Sequence, residues 1–134
     1  MSSRFAAAVI QSAPVVFEPN ATLAKVRDLT ADASKQGAKL VVFPEAFVSA
    51  YPKGLDFGAR VGSRTSKGRD DFRKYFDSTI DVPGRATQEL SRAAKESGVY
   101  LVIGVIERDI GTHHQSTGAG PGGIALQRGR NPAC

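Results

Sequence analysis

Apolar and polar positions fall along this chain in blocks whose periods name the elements. Phe5 to Gln11 is a short apolar run bounded by Ser12 and Pro14, the pattern of a central strand buried on both faces. From Asn20, read as the N-cap, Leu23, Val26, Leu29 and Ala33 recur at helical spacing, and Gly37 falls where a left-handed C′ residue belongs. A second apolar run, Lys39 to Phe43, follows at once. Strand, helix and strand in this rhythm predict a βαβ unit with parallel strands and a right-handed crossover.

The layout returns after a long insertion. Val82-Pro83-Gly84 reads as a turn, and Ala86, Leu90, Ala93 and Ala94 mark an amphipathic helix closed by Gly98. Val99 to Ile106 is the strand that follows. This is the ordinary grammar of an α/β sheet and not a sequence repeat. Between the two units, Tyr51 to Gly68 is rich in Gly, Lys and Arg and leads into a charged helix around Asp70 to Asp77. A connection that long at the end of a parallel strand is usually functional. From Gly111 the periodicity is lost. The run from His113 to Gly123 has little to bury and no acid occurs after Asp109, so residues 113–134 are expected to form a disordered tail.

A chain of 134 residues is one domain with room for a core. Its 18 basic and 13 acidic residues give a net charge of +5, which brings anionic partners into consideration. The basic residues are interleaved with acids, however. Arg60, Arg64, Lys67, Arg69, Arg73 and Lys74 share their segment with Asp70, Asp71 and Asp77, as in a solvated helix with i,i+4 pairs. No nucleic-acid partner is expected from that pattern. A single cysteine excludes an internal disulfide framework and suits a reducing compartment. The apolar stretch after Arg4 is too short for a signal peptide and nothing approaches a membrane span, so a cytoplasmic chain without a membrane partner is expected. In that setting Asn20-Ala21-Thr22 reads as a helix start, not a glycosylation acceptor.

Glu45 is the candidate for chemistry. The run Leu40-Val41-Val42-Phe43 stops at Pro44, and a Phe-Pro-Glu-Ala-Phe step then presents one carboxylate at the rim of the sheet, a suitable place for a general base. A surface carboxylate at the start of a loop is the plainer reading. Its position after the second strand of an α/β unit, where ligand sites of open parallel sheets gather, favours function. Other motifs fail their structural tests. Gly118, Gly120 and Gly123 match the dinucleotide fingerprint formally, but they follow no strand, contain Pro121 and lead into no helix. His113 and His114 are adjacent imidazoles with no third ligand near, so no metal site is expected. Cys134 lies at the chain end with no base or helix N-terminus to activate it, and its own carboxylate raises the thiol pKa.

Taken together, these segments resemble the nitrilase family of carbon-nitrogen hydrolases. The resemblance is carried by Ala7 to Gln11, Leu40 to Phe47, Tyr51-Pro52, Gly62 to Tyr75, Asp81 to Gly84 and Val99 to Glu107. The Phe-Pro-Glu step fits any branch, amidases included, whereas Gly62-Ser63-Arg64-Thr65 is similar to the true nitrilase branch of plants, fungi and bacteria. The likeness covers residues 5–112 as the N-terminal part of the family domain, with 113–134 divergent. It implies a partial αββα sandwich, here a βαβ-αβ unit, and a small-molecule nitrile as substrate with no cofactor. In the family's chemistry a cysteine thiol attacks the nitrile carbon, a glutamate takes its proton and a lysine steadies the developing negative charge. Of these three roles the resemblance gives only the glutamate, to Glu45. The family's lysine lies in a His-Arg-Lys-Leu stretch and its cysteine in a Cys-Trp-Glu-Asn step; neither occurs here, and there is no tryptophan. The expectation is therefore a truncated nitrilase, inactive by itself. The alternatives are a non-catalytic module that associates with a full-length homologue or itself, and an amidase-branch fragment.

Overall fold

A computed structural model describes residues 3–50, 65–108 and 124–131, the last by its backbone path. Four parallel strands lie side by side in sequence order: β1 (Ala6–Val9), β2 (Ala38–Val42), β3 (Tyr100–Arg108) and β4 (Ile124–Asn131). Helix α1 (Pro19–Lys35) connects β1 to β2, and α2 (Ser66–Asp77) and α3 (Arg85–Ser97) lie between β2 and β3. The α/β class and the order of the βαβ-αβ unit are those read from the sequence.

Local chemistry explains where the helices begin and end. Helix α1 starts two residues earlier than expected, with Pro19 in its first turn and Glu18 as N-cap, so Asn20 is not the cap. Proline suits that position because its fixed φ is helical and its missing N–H had no partner there. Gly37 takes φ +94° just past the end, as the sequence indicated. In α2, the Thr65 hydroxyl accepts from the Gly68 N–H at 3.1 Å, while Lys67 meets Asp71 at 2.7 Å, an i,i+4 pair of a solvated helix. Gly98 closes α3 in the left-handed conformation at φ +65°.

The core lies on one face of the sheet. Val41, Leu101, Ile103 and Val105 point to that face and are completely buried, with Leu23 and Val26 of α1 and Leu90 and Ala94 of α3 among the residues packed over them. Over β1, β2 and the start of β3 the opposite face is apolar and open, whereas Ile106 farther along β3 is buried. Register aligns Val9 with Val42 and Val42 with Val102, and Leu40 with Tyr100. Val9 is 74% and Tyr100 57% exposed, and Leu40, Val42 and Val102 are half-buried.

Two expectations change at the ends of the sheet. The Phe5–Gln11 run was read as a central strand buried on both faces, but β1 is an edge strand, with Ala6, Ala7 and Val9 exposed. Among the described residues its only strand neighbour is β2, and the open face leaves its apolar side chains uncovered. Residues 124–131 fall in the stretch read as a disordered tail, and there they form β4, paired with β3 from Leu101↔Ile124 to Arg108↔Asn131. Nine-residue β3 offers a long row of backbone donors and acceptors on that side, and a strand satisfies them. The remaining tail residues, with His113, His114, Gly118, Gly120, Gly123 and Cys134, and residues 51–64 of the insertion lie outside the described residues.

Candidate functional site

The segment that carries Glu45 runs alongside β3 and leaves it only at Glu45 and Ala46. Phe43 N–H donates to the Val102 carbonyl at 2.8 Å, continuing the β2 ladder, and Gly104 N–H donates to the Pro44 carbonyl at 3.2 Å. The chain then turns out at Glu45 and Ala46, the latter at φ +49°. It returns when the N–H groups of Phe47 and Val48 both donate to the Gly104 carbonyl, at 2.9 and 3.1 Å. Two donors on one acceptor make a bulge, a device that re-aims a side chain beside a sheet.

Three features hold this excursion. Phe43 and Phe47 flank it with ring centroids 5.2 Å apart, and both are buried, at 4% and 0% exposure. Between these anchors Glu45 is exposed. Gly104 lets the backbones close up, since a Cβ there would lie 2.3 Å from the Ala46 nitrogen and 2.6 Å from the Glu45 Cα. Beyond Val48, Ser49 and Ala50 also have positive φ, at +93° and +73°. The strained Ser49 is pinned from two sides: its hydroxyl donates to the Ser78 carbonyl at 2.5 Å, and its own carbonyl accepts from Phe17 N–H at 3.2 Å. Non-glycine residues kept at positive φ cluster at functional sites, because the surrounding structure must over-determine them.

Glu45 therefore stands at the C-terminal end of β2 on a rigid base, its carboxylate toward solvent. Among the described residues no side chain makes a hydrogen bond or ion pair with it, and no group of His, Cys, Asp and Glu is arranged to hold a metal. A carboxylate so placed can accept a proton from a group brought to it. It cannot form a covalent intermediate with nitrile carbon in the way a thiolate does.

The family model for carbon-nitrogen hydrolases matches residues 6–131. The chain belongs to the carbon-nitrogen hydrolase family. The match continues past residue 112, where the sequence likeness was read to stop, and takes in β4. Relatives of this carbon-nitrogen hydrolase chain include an aliphatic nitrilase of Sinorhizobium fredii, 49% identical over 110 residues, covering 82% of this chain and 36% of the relative. A bifunctional nitrilase/nitrile hydratase of Lupinus angustifolius is 50% identical over 103 residues, covering 77% of this chain and 30% of the relative. Nitrilase 2 of Arabidopsis thaliana is 45% identical over 103 residues, with the same two coverages. The chain thus spans about a third of the length of these relatives.

Residue reasoning picked out Glu45 but missed Gly104, Ser49 and the Phe43–Phe47 bracket as its support. Gly104 had a signal, a glycine in mid-strand, which marks a bulge or a close backbone approach. Ser49 had none, because its positive φ is imposed by partners distant in sequence.

Proposed function

We propose that this chain supplies the proton-accepting part of a nitrilase-type site, with Glu45 as general base toward a cysteine thiol that attacks a small-molecule nitrile. The observation that carries the reading is the clamped bulge: an exposed carboxylate held by two buried phenylalanines and by Gly104 at the end of a parallel strand. Similarity to relatives named as nitrilases supports nitriles as the substrate class over the amides of an amidase branch. Residues 1–134 contain neither the Cys-Trp-Glu-Asn nor the His-Arg-Lys-Leu stretch, so thiol and lysine have to come from sequence outside them. On its own the chain then lacks the covalent route, and a lone carboxylate leaves the rate negligible. Purified chain incubated with 3-cyanoalanine or an aryl nitrile is expected to release no ammonia above the blank. Turnover that Glu45→Gln abolishes would show the chain to be a complete catalyst.

The open sheet face favours a second reading, a non-catalytic module in the cytoplasm that associates with a full-length homologue or with itself. Val9, Leu40, Val42, Tyr100 and Val102 offer the kind of apolar surface that sheet-on-sheet packing covers. Co-purification with an intact nitrilase, with a fall in that enzyme's activity, supports this reading; a monomer that leaves the nitrilase untouched removes it.

A further inference from the structure

One edge of β3 carries more than β2. Beyond Phe43 its backbone groups go in turn to the Glu45 segment at Gly104, to Val48 and Ile80 at Ile106, and to Ile80 again at Arg108. Ile106 N–H donates to the Val48 carbonyl at 3.2 Å, and the Ile106 carbonyl accepts from Ile80 N–H at 3.0 Å. Arg108 N–H then donates to the Ile80 carbonyl at 2.8 Å. The bulge that presents Glu45 and the exit from α2 are thus laid end to end on one strand, and the Ser49 hydroxyl ties them together at the Ser78 carbonyl. That carbonyl is an acceptor left over at the end of a helix, since Ser78 is the C-cap of α2.

The far end of this row is fastened by the Arg108 side chain. Its Nη2 donates to the carbonyls of Thr79 at 3.2 Å and Asp77 at 3.4 Å, and its Nε donates to the Thr79 hydroxyl at 3.3 Å. The guanidinium also lies over the Phe76 ring, 5.4 Å from its centroid. These contacts all fall within residues 76–79, where the C-terminal end of the helix dipole favours a cation. Arg108 is half-buried, and among the described residues it pairs with no carboxylate. Its planar group instead grips the oxygens on both sides of Ser78 in a fixed orientation, which sets the direction of the Ser78 carbonyl between them.

We propose that Arg108 is a positioning residue for the Glu45 site. By gripping the backbone on either side of Ser78 it aims the Ser78 carbonyl at Ser49, and Ser49, held at φ +93°, fixes the way the chain leaves the bulge. The importance of Arg108 for catalysis rests on the general-base reading of Glu45, but its hold on the bulge is measured directly and stands or falls without that reading.

Amide hydrogen exchange and amide chemical shifts of the 134-residue chain test it, with Arg108→Met, which keeps a long side chain and removes the planar group. The amides of Phe17, Phe47 and Val48 bond to the carbonyls of Ser49 and Gly104. In the variant they are expected to exchange at least about tenfold faster, while the amides of α1 and α3 keep their rates. The Glu45 and Ala46 resonances are expected to shift as well. Ser49→Ala should give the same pattern, and the double variant no more than the larger single effect, because both cut one path. Arg108→Lys keeps the charge without the planar group and is expected to quicken the same three amides by at least about threefold; it decides the matter if the methionine variant does not fold. Parent-like exchange at Phe17, Phe47 and Val48, with change confined to residues 76–80, would mean that Arg108 only caps α2 and would overturn the proposal. Acceleration shared equally by α1 and α3, or additive effects of Arg108→Met and Ser49→Ala, would overturn it too.

Discussion

At Gly104 the missing side chain sets the path of the segment that presents Glu45. Its N–H and carbonyl hold Pro44 on one side of the bulge and Phe47 and Val48 on the other, and the space a Cβ would fill is occupied by the Glu45 and Ala46 backbone. Gly104→Ala is therefore expected to lower stability by about 1–3 kcal/mol and to move the bulge. Urea denaturation measures the first effect, and amide chemical-shift changes centred on residues 45–48 the second. Unchanged shifts there would mean that Gly104 does not position Glu45. At this scale the sequence shows the chemical group and conceals its support. The Phe-Pro-Glu-Ala-Phe step can be read directly, because an apolar run ending in proline names both the strand and its end. The dependence on Gly104, some sixty residues later, exists only once β2 and β3 pair.

At the scale of elements, the spacing of apolar residues located α1, α3 and the first three strands, and interleaved charges at i,i+4 spacing located α2. The differences lie at the ends. Pro19 replaced Asn20 in starting α1, because a cap is decided by which backbone groups are orphaned and not by residue preference alone. Helix α2 is the helix with least burial, only Gly68 being buried within it, and its N-cap matters the more for that. Thr65→Ala removes the acceptor for Gly68 N–H and is expected to destabilise α2 by about 1 kcal/mol. Hydrogen exchange should then quicken in the first turn of α2 while the amides of α3 and β3 keep their protection. Equal acceleration in all three would indicate that α2 does not open separately. Strand β4 had no legible period, since its pairing is determined by the free edge of β3 and not by its own alternation.

At the scale of the whole molecule, helices α1 and α3 cover one face of the sheet, and the other remains apolar and open over β1, β2 and the start of β3. This is one α layer on one sheet, half of the αββα arrangement that the family likeness implied. The edge position of β1 belongs to the same picture. Composition could not reveal it, because an apolar run reports a demand for cover and not whether cover is present. The carbon-nitrogen hydrolase match and the nitrilase relatives give this half-sandwich its functional meaning, and the chain spans about a third of those relatives. On the proposed function, Glu45 is a working general base once thiol and lysine are supplied. It is tested by replacing the matched segment of the Sinorhizobium fredii aliphatic nitrilase with residues 6–108 of this chain and measuring ammonia release from an aliphatic nitrile. The chimera is expected to turn over, and Glu45→Gln within it to lower the rate by about 10²–10⁴-fold without loss of folding. A folded chimera without activity, or one whose rate survives Glu45→Gln, would contradict the claim.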